Sequence, residues 1–293
     1  MGRWCRWSSI REAGRGWWRR RPLVSVVRLS GVIGLGGPLR GGLTLLGVAP
    51  LLERAFKPSR LAAVALVINS PGGSPVQSAL IARRVRQLAD ERKLPVLAFV
   101  EDVAASGGYW LACAADEIYV DENSIVGSVG VISAGFGFSE LIARHGIERR
   151  VHTSGERKTL LDPFRPETPE DVARLKALQA EIHASFRAMV RDRRGERLKG
   201  DDDTLFSGEF WLGRRALELG LVDGVDDIRS RLRARFGAKV RLRPVEEEKG
   251  WLSRHVGISA GPERTAEGRA AAAAVGAALA AVEERAWWAL YGL

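Results

Sequence analysis

The sequence predicts an α/β fold, and three observations carry that prediction. Short β-branched or wholly apolar runs alternate with helix-period segments through the first half of the chain. The apolar runs lack polar alternation, as strands buried on both faces do. Length and composition, 293 residues with 46% hydrophobic, supply enough core for one large domain or two small ones.

The elements follow in order. "PLVSVVRLSGVIG" (22–34) reads as a first strand, followed by a glycine-rich loop and a short helix around "APLLERAFK". "LAAVALVIN" (61–69) is a second strand that runs into "SPGGSP", a strong turn signal. "VQSALIARRVRQLADER" then places apolar residues at 76, 80, 81, 85 and 88, one face of a helix. "LPVLAFVED" (94–102) is a third strand, and residues 106–114 begin a buried helix. "DEIYVDENS" and "VGSVGVIS" supply further strand-like runs. A helix near "FSELIARHG" and a strand near "IERRVHT" complete the unit by about residue 153. A polar, proline-punctuated crossing loop leads to a long amphipathic helix opened by Thr168, Pro169 and Glu170. Two more helices flank a turn at Gly220 to Asp223.

Charge is distributed unevenly. The chain carries a net +10, but residues 1–21 alone hold seven arginines and one glutamate, or +6. Basicity therefore belongs mainly to a tail, and no nucleic-acid surface is expected on the folded body. Trp4, Trp7, Trp17 and Trp18 interleave with those arginines, a composition suited to peripheral contact with an anionic membrane. The tail lacks the apolar stretch of about 7–15 residues that a secretory signal needs. No segment offers about 18 uninterrupted apolar residues, so no spanning helix is expected. With only Cys5 and Cys113, neither a disulfide framework nor a cysteine zinc site is expected. These features predict a cytoplasmic chain, peripheral to a membrane, in three parts: a basic tail over 1–21, an α/β domain over 22–244, and an Ala-rich helical extension over 245–293. No metal or cofactor is expected.

Two motifs carry chemistry. "NSPGG" ends a buried strand, and its glycines allow backbone N–H groups to approach a ligand. "AASGG" (104–108) places Ser106 at a strand-to-helix switch with the Gly107 N–H directed into the same space. The small residues serve either close packing or an open nucleophile, and the motif alone leaves both standing. A serine nucleophile needs a base. His183 and His255 fall in a later helix and the tail and read as surface residues, and His145 suits a helix C-terminus. His152, at a strand end before the crossing loop, and Lys158, in "SGERKTLLDPF", stand as candidates. A lysine serves as base only where burial brings its pKa toward about 7–8.

"NSPGG", "AASGGYWLA", "GSVGVI" and "SGERKTLLDPF", in that order, resemble the SppA/SohB-type signal peptide peptidase family, serine peptidases of the ClpP/crotonase-like fold. The resemblance spans roughly residues 22–235. It implies repeated β-β-α units and a Ser–Lys dyad in which Ser106 is the nucleophile and Lys158 the base. It also implies Gly73 and Gly107 as oxyanion donors, Ser128 of "GSVG" as the hydroxyl that orients the lysine, and an acyl-enzyme intermediate. Without the family, Ser128 reads as a rival nucleophile. The resemblance implies short or unfolded peptide substrates of the signal-peptide-remnant type and a homo-oligomer. Two rival functions share these residues: a crotonase-like acyl-CoA enzyme and a non-catalytic, membrane-associated scaffold.

Overall fold

A computed structural model of the chain describes residues 21–34, 42–155 and 158–246, with Arg285, Trp288 and Tyr291. The basic tail and almost all of the Ala-rich extension lie outside the described residues, as do His255 and Cys5.

The wholly apolar runs do form strands, and the chain order is β1 (Leu23–Ser30), α1 (Leu45–Phe56), β2 (Leu61–Ser70), α2 (Pro75–Arg92), β3 (Val96–Ala105), α3 (Gly107–Ala112), β4 (Glu117–Val120), β5 (Ile125–Gly127), α4 (Ser139–Arg144), α5 (Pro169–Arg194), α6 (Asp202–Leu205), β6 (Phe210–Leu212), α7 (Gly213–Glu218), β7 (Gly224–Val225), α8 (Ile228–Phe236) and β8 (Arg241–Pro244). The sheet runs β6-β5-β3-β2-β1-β8, with β4 on β3 and β7 on β4. Every pairing is parallel except β5 with β6. One edge of β3 thus serves two partners: its foot pairs with β4 through Leu97–Phe99, and its tip pairs with β5 through Val103–Ala105.

Helices cover both faces, which is why the central strands read as continuous apolar runs. Val27, Leu29, Leu66, Ile68, Ala98 and Val100 face the main core beneath α1, α2 and α3. The alternate residues Val24, Ala63, Ala65, Leu97 and Phe99 face a smaller cluster closed by Leu232 of α8. The helix starts follow sequence logic: Thr44, Ser74 and Thr168 cap α1, α2 and α5 with their hydroxyls, and Pro75 and Pro169 occupy first-turn positions that need no N–H.

Two expectations need correction. Residues 147–153, read as a strand, are irregular and largely exposed. They belong to an arm, 131–168, that leaves the sheet, so no strand edge lies beside them to complete a ladder. The "VGSVGVIS" strand stops at Gly127, because Ser128 turns to φ 51° and breaks the pairing with β6. No helix among the described residues is long and apolar enough to cross a membrane.

Candidate active site

The tip of β3 is re-aimed just before it ends. Ile68 pairs with Val100 but Ser70 pairs with Ala104, so β3 carries two extra residues across a bulge. Asn69 bridges it: its side-chain oxygen accepts the Val103 N–H at 3.2 Å and its amide donates to Asp102 at 2.7 Å. This satisfies a buried N–H that the broken ladder leaves free.

Ser106 follows at φ 50°, ψ −120°, a backbone conformation that normally belongs to glycine. Its N–H donates to the Gly127 carbonyl at 2.8 Å and its carbonyl accepts the Trp110 N–H, so the residue is pinned from the β5 side and by the helix it starts. The neighbours Ala104, Ala105, Gly107 and Gly108 are buried, whereas Ser106 itself is half-buried. Its hydroxyl bonds to nothing among the described residues. The turn therefore presents Oγ to the open end of the sheet.

The "SPGG" turn lies directly against it. A Cβ on Gly72 would fall 2.8 Å from the Ser106 Cβ and 3.0 Å from the Gly107 nitrogen. Gly72 and Gly73 take φ of 108° and 133°, and a Cβ on Gly73 would meet the Ile33 carbonyl oxygen at 2.1 Å. Only glycine fits at either position. The turn is locked from outside by Ile33, whose N–H donates to Gly72 at 2.7 Å and whose carbonyl accepts the Ser74 N–H at 2.8 Å. Ser70 Oγ also accepts the Gly72 N–H, at 3.3 Å. After these bonds are made, the N–H groups of Gly73 and Gly107 have no acceptor among the described residues.

Ser128 sits beside Ser106 at the tip of the neighbouring strand, because Ala105 pairs with Gly127. Its N–H donates to Glu209 at 2.7 Å and its Oγ accepts the Tyr291 hydroxyl at 3.3 Å. Burial raises the Tyr291 pKa, opposed by that hydrogen bond, and its ring packs edge-on against Phe210.

Lys158 is not brought to this place within one chain. It lies exposed in a turn of the arm, where its N–H donates to the Gly155 carbonyl at 3.3 Å, and its side chain contacts neither Ser106 nor Ser128. His152 and His145 are exposed on the same arm. His183 departs from the surface reading: it is half-buried on α5, and its Nε2 lies 3.0 Å from the Val129 carbonyl. Asn69, Ile33, His183 and Tyr291 thus support the site without having been legible as site residues. For Asn69 a signal existed, since it begins "NSPGG"; for the others the contact is purely tertiary.

The profile of peptidase family S49 matches residues 89–239, from the end of α2 to the turn before β8. The chain belongs to peptidase family S49. A protein named Na(+)/H(+) antiporter NhaA from Brucella abortus is 53% identical over 275 residues, 92% of this chain and 37% of that protein. The chain spans little more than a third of that relative's length. A putative protease of Synechocystis sp. is 33% identical over 199 residues, 65% of this chain and 70% of the protease. Among solved structures, a mutant of the 1510-N membrane-bound stomatin-specific protease in complex with a substrate peptide aligns at a TM-score of 0.50 with 16% identity, covering 78% of this chain and 94% of that one. That likeness concerns the fold, and the S49 chain shares the ClpP/crotonase-like architecture that the four motifs predicted.

Proposed function

We propose that the chain is a serine endopeptidase that cleaves short or unfolded peptides through an acyl-enzyme on Ser106. One observation carries the reading: Ser106 Oγ, unbonded among the described residues, stands at a strained turn packed against the Gly72–Gly73 turn, and the N–H groups of Gly73 and Gly107 have no acceptor there. Fixed donors of this kind stabilise the oxyanion of a tetrahedral intermediate, each worth about 2.7–4 kcal/mol. Lys158, neutral, takes the hydroxyl proton as Oγ attacks the scissile carbonyl, then gives it to the leaving amine. Water resolves the ester, and Ser128 orients the lysine.

Lys158 reaches Ser106 in this reading through a homo-oligomer. The arm that carries it exposes Ile132 at 69% and Phe136 at 81%, and α4 on the same arm buries no residue. Exposed apolar surface of this kind marks an interface, and a second copy of the chain supplies the cover. Residues 1–21 add peripheral contact with an anionic membrane.

The test is hydrolysis of a fluorogenic peptide library by wild type, Ser106→Ala, Ser128→Ala and Lys158→Ala from pH 6 to 10. We expect Ser106→Ala and Lys158→Ala to lose activity and the wild-type rate to rise toward alkaline pH. A profile already flat above about pH 6.5–7 would assign the base to His152 instead. Acyl-enzyme retained in Ser106→Ala but lost in Ser128→Ala would exchange the two serines. Absence of turnover in folded wild type would favour an acyl-CoA enzyme or a scaffold.

A further inference from the structure

The positive charge of the chain is concentrated in two segments, and the strand that follows the first pairs with the end of the second. Residues 228–245 hold seven arginines and lysines and no acidic residue. Since the chain totals +10 and residues 1–21 contribute +6, everything outside these two segments is net −3. The Arg241 N–H donates to the Pro22 carbonyl at 2.8 Å, and Leu23 pairs with Arg241.

Not all of these cations have partners. Arg231 and Arg235 of α8 are spent on Glu117. Arg233, Lys239, Arg241 and Arg243 are exposed and reach no carboxylate among the described residues. Arg229 and Arg233 also rim a groove of about 430 Å³ floored by Val26, Val67, Val240 and Leu242. Its one acidic wall residue, Glu101, is already paired with Arg28 at 2.7 Å.

We infer that the face of the sheet beside α8, with the edge strand β8, is a docking surface for an anionic lipid bilayer. Cations at the groove rim (Arg229, Arg233) and along the adjoining edge strand (Arg241, Arg243), on a chain whose preceding tail interleaves arginine and tryptophan, match the headgroup region of such a bilayer, where charges meet phosphates and apolar groups enter the interface. A nucleic acid would use the cations and leave the apolar floor without a role. Arginines on an edge strand also block edge-to-edge pairing, but that role covers β8 alone and not Arg233 or Lys239. The inference extends the tail contact proposed above to the folded body. Glu101 in the groove wall precedes Ser106 by five residues on β3, about 17 Å at about 3.3 Å per residue, so the surface and the serine lie on the same half of the sheet.

The experiment is cosedimentation of the full chain with large unilamellar vesicles of phosphatidylcholine, with and without phosphatidylglycerol, at low and high salt. Wild type is expected to bind only the anionic vesicles and to release in high salt. Each cation contributes about fivefold to affinity, so the variant Arg233→Gln/Lys239→Gln/Arg241→Gln/Arg243→Gln with an intact tail should lose about a hundredfold or more. The charge-preserving Arg233→Lys/Arg241→Lys/Arg243→Lys should bind as wild type, which separates charge from misfolding. Undiminished binding by the glutamine variant, equal binding to neutral vesicles, or preference for duplex DNA over vesicles at equal salt would overturn the inference. The readout needs no hydrolysis, so failure of the Ser106 assignment leaves it standing.

Discussion

Ser106 adopts the backbone angles of the first central residue of a type II′ turn, where glycine is the natural occupant. The hydroxyl is kept there against a local cost on the order of 1–3 kcal/mol, a strain the surrounding hydrogen bonds over-determine. Ser106→Gly should accordingly raise stability by about 1 kcal/mol while abolishing hydrolysis. Urea unfolding and a peptide assay on the same preparation check both halves. A variant less stable than wild type would show that Ser106 is not strained. Cys113, by contrast, has no exposed chemistry: burial pushes its thiol up to about 11, so it packs as a small apolar residue.

At the scale of elements, the site depends on three strand tips and one helix held in register. The bulge in β3, bridged by Asn69, sets where Ser106 emerges, and the Ala105–Gly127 pairing sets Ser128 beside it. The helix α5 buttresses this assembly from below. Its Phe186 stacks on Trp110 of α3 with ring centroids 4.7 Å apart, and its His183 reaches the Val129 carbonyl one residue past Ser128. Phe186→Ala should cost about 3–5 kcal/mol and lower kcat through the loosened α3 start. Denaturant midpoints together with kcat and KM will show it; unchanged kcat in the folded variant would mean that α5 supports stability alone.

Across the whole molecule, the C-terminal elements are tied to the sheet by a buried ion pair. Arg194, with its side chain 2% exposed, donates to both carboxylate oxygens of Asp223 at 2.7 and 3.1 Å, and Asp223 accepts the Ile118 N–H of β4. Burial pushes the Asp223 pKa up, but the bonds and charge of Arg194 outweigh it and the net shift is downward. The folded protein thus binds this proton less readily than the unfolded chain. The contribution is fully present above the unfolded carboxylate value of about 3.9 and is lost as pH falls through the lower folded value. Urea midpoints should therefore fall as the pH is lowered below about 4, and Asp223→Asn, already destabilised at neutral pH, should show a shallower fall. An identical slope in the variant would remove Asp223 from the acid transition. A second prediction at this scale concerns assembly. In the proposed homo-oligomer, mixing inactive Ser106→Ala with inactive Lys158→Ala should restore hydrolysis, because each would supply what the other lacks. No restoration after subunit exchange would place the dyad within one chain.

The sequence by itself determined the central strands β1, β2 and β3, the start of α5 and the glycine turn before α2, but not the short strands β6, β7 and β8. Apolar runs must be buried, Thr and Ser followed by proline must cap, and paired glycines must go where a Cβ cannot. It raised Ser106 as a candidate, since small residues at a strand end serve either close packing or an open nucleophile, and only the four motifs together pointed to the second. Tertiary structure alone decided which turns meet. That Gly72 lies against Ser106, that Ser128 stands at the neighbouring tip, and that His183 reaches Val129 are contacts between segments tens of residues apart, set by sheet order and register. The irregularity of 147–153 has the same cause, since a strand exists only where a neighbouring edge accepts its hydrogen bonds. The placement of Arg241 beside Leu23, the start of β1, follows likewise from the parallel pairing of β1 with β8, which local pattern cannot encode because the strand could pair with another partner.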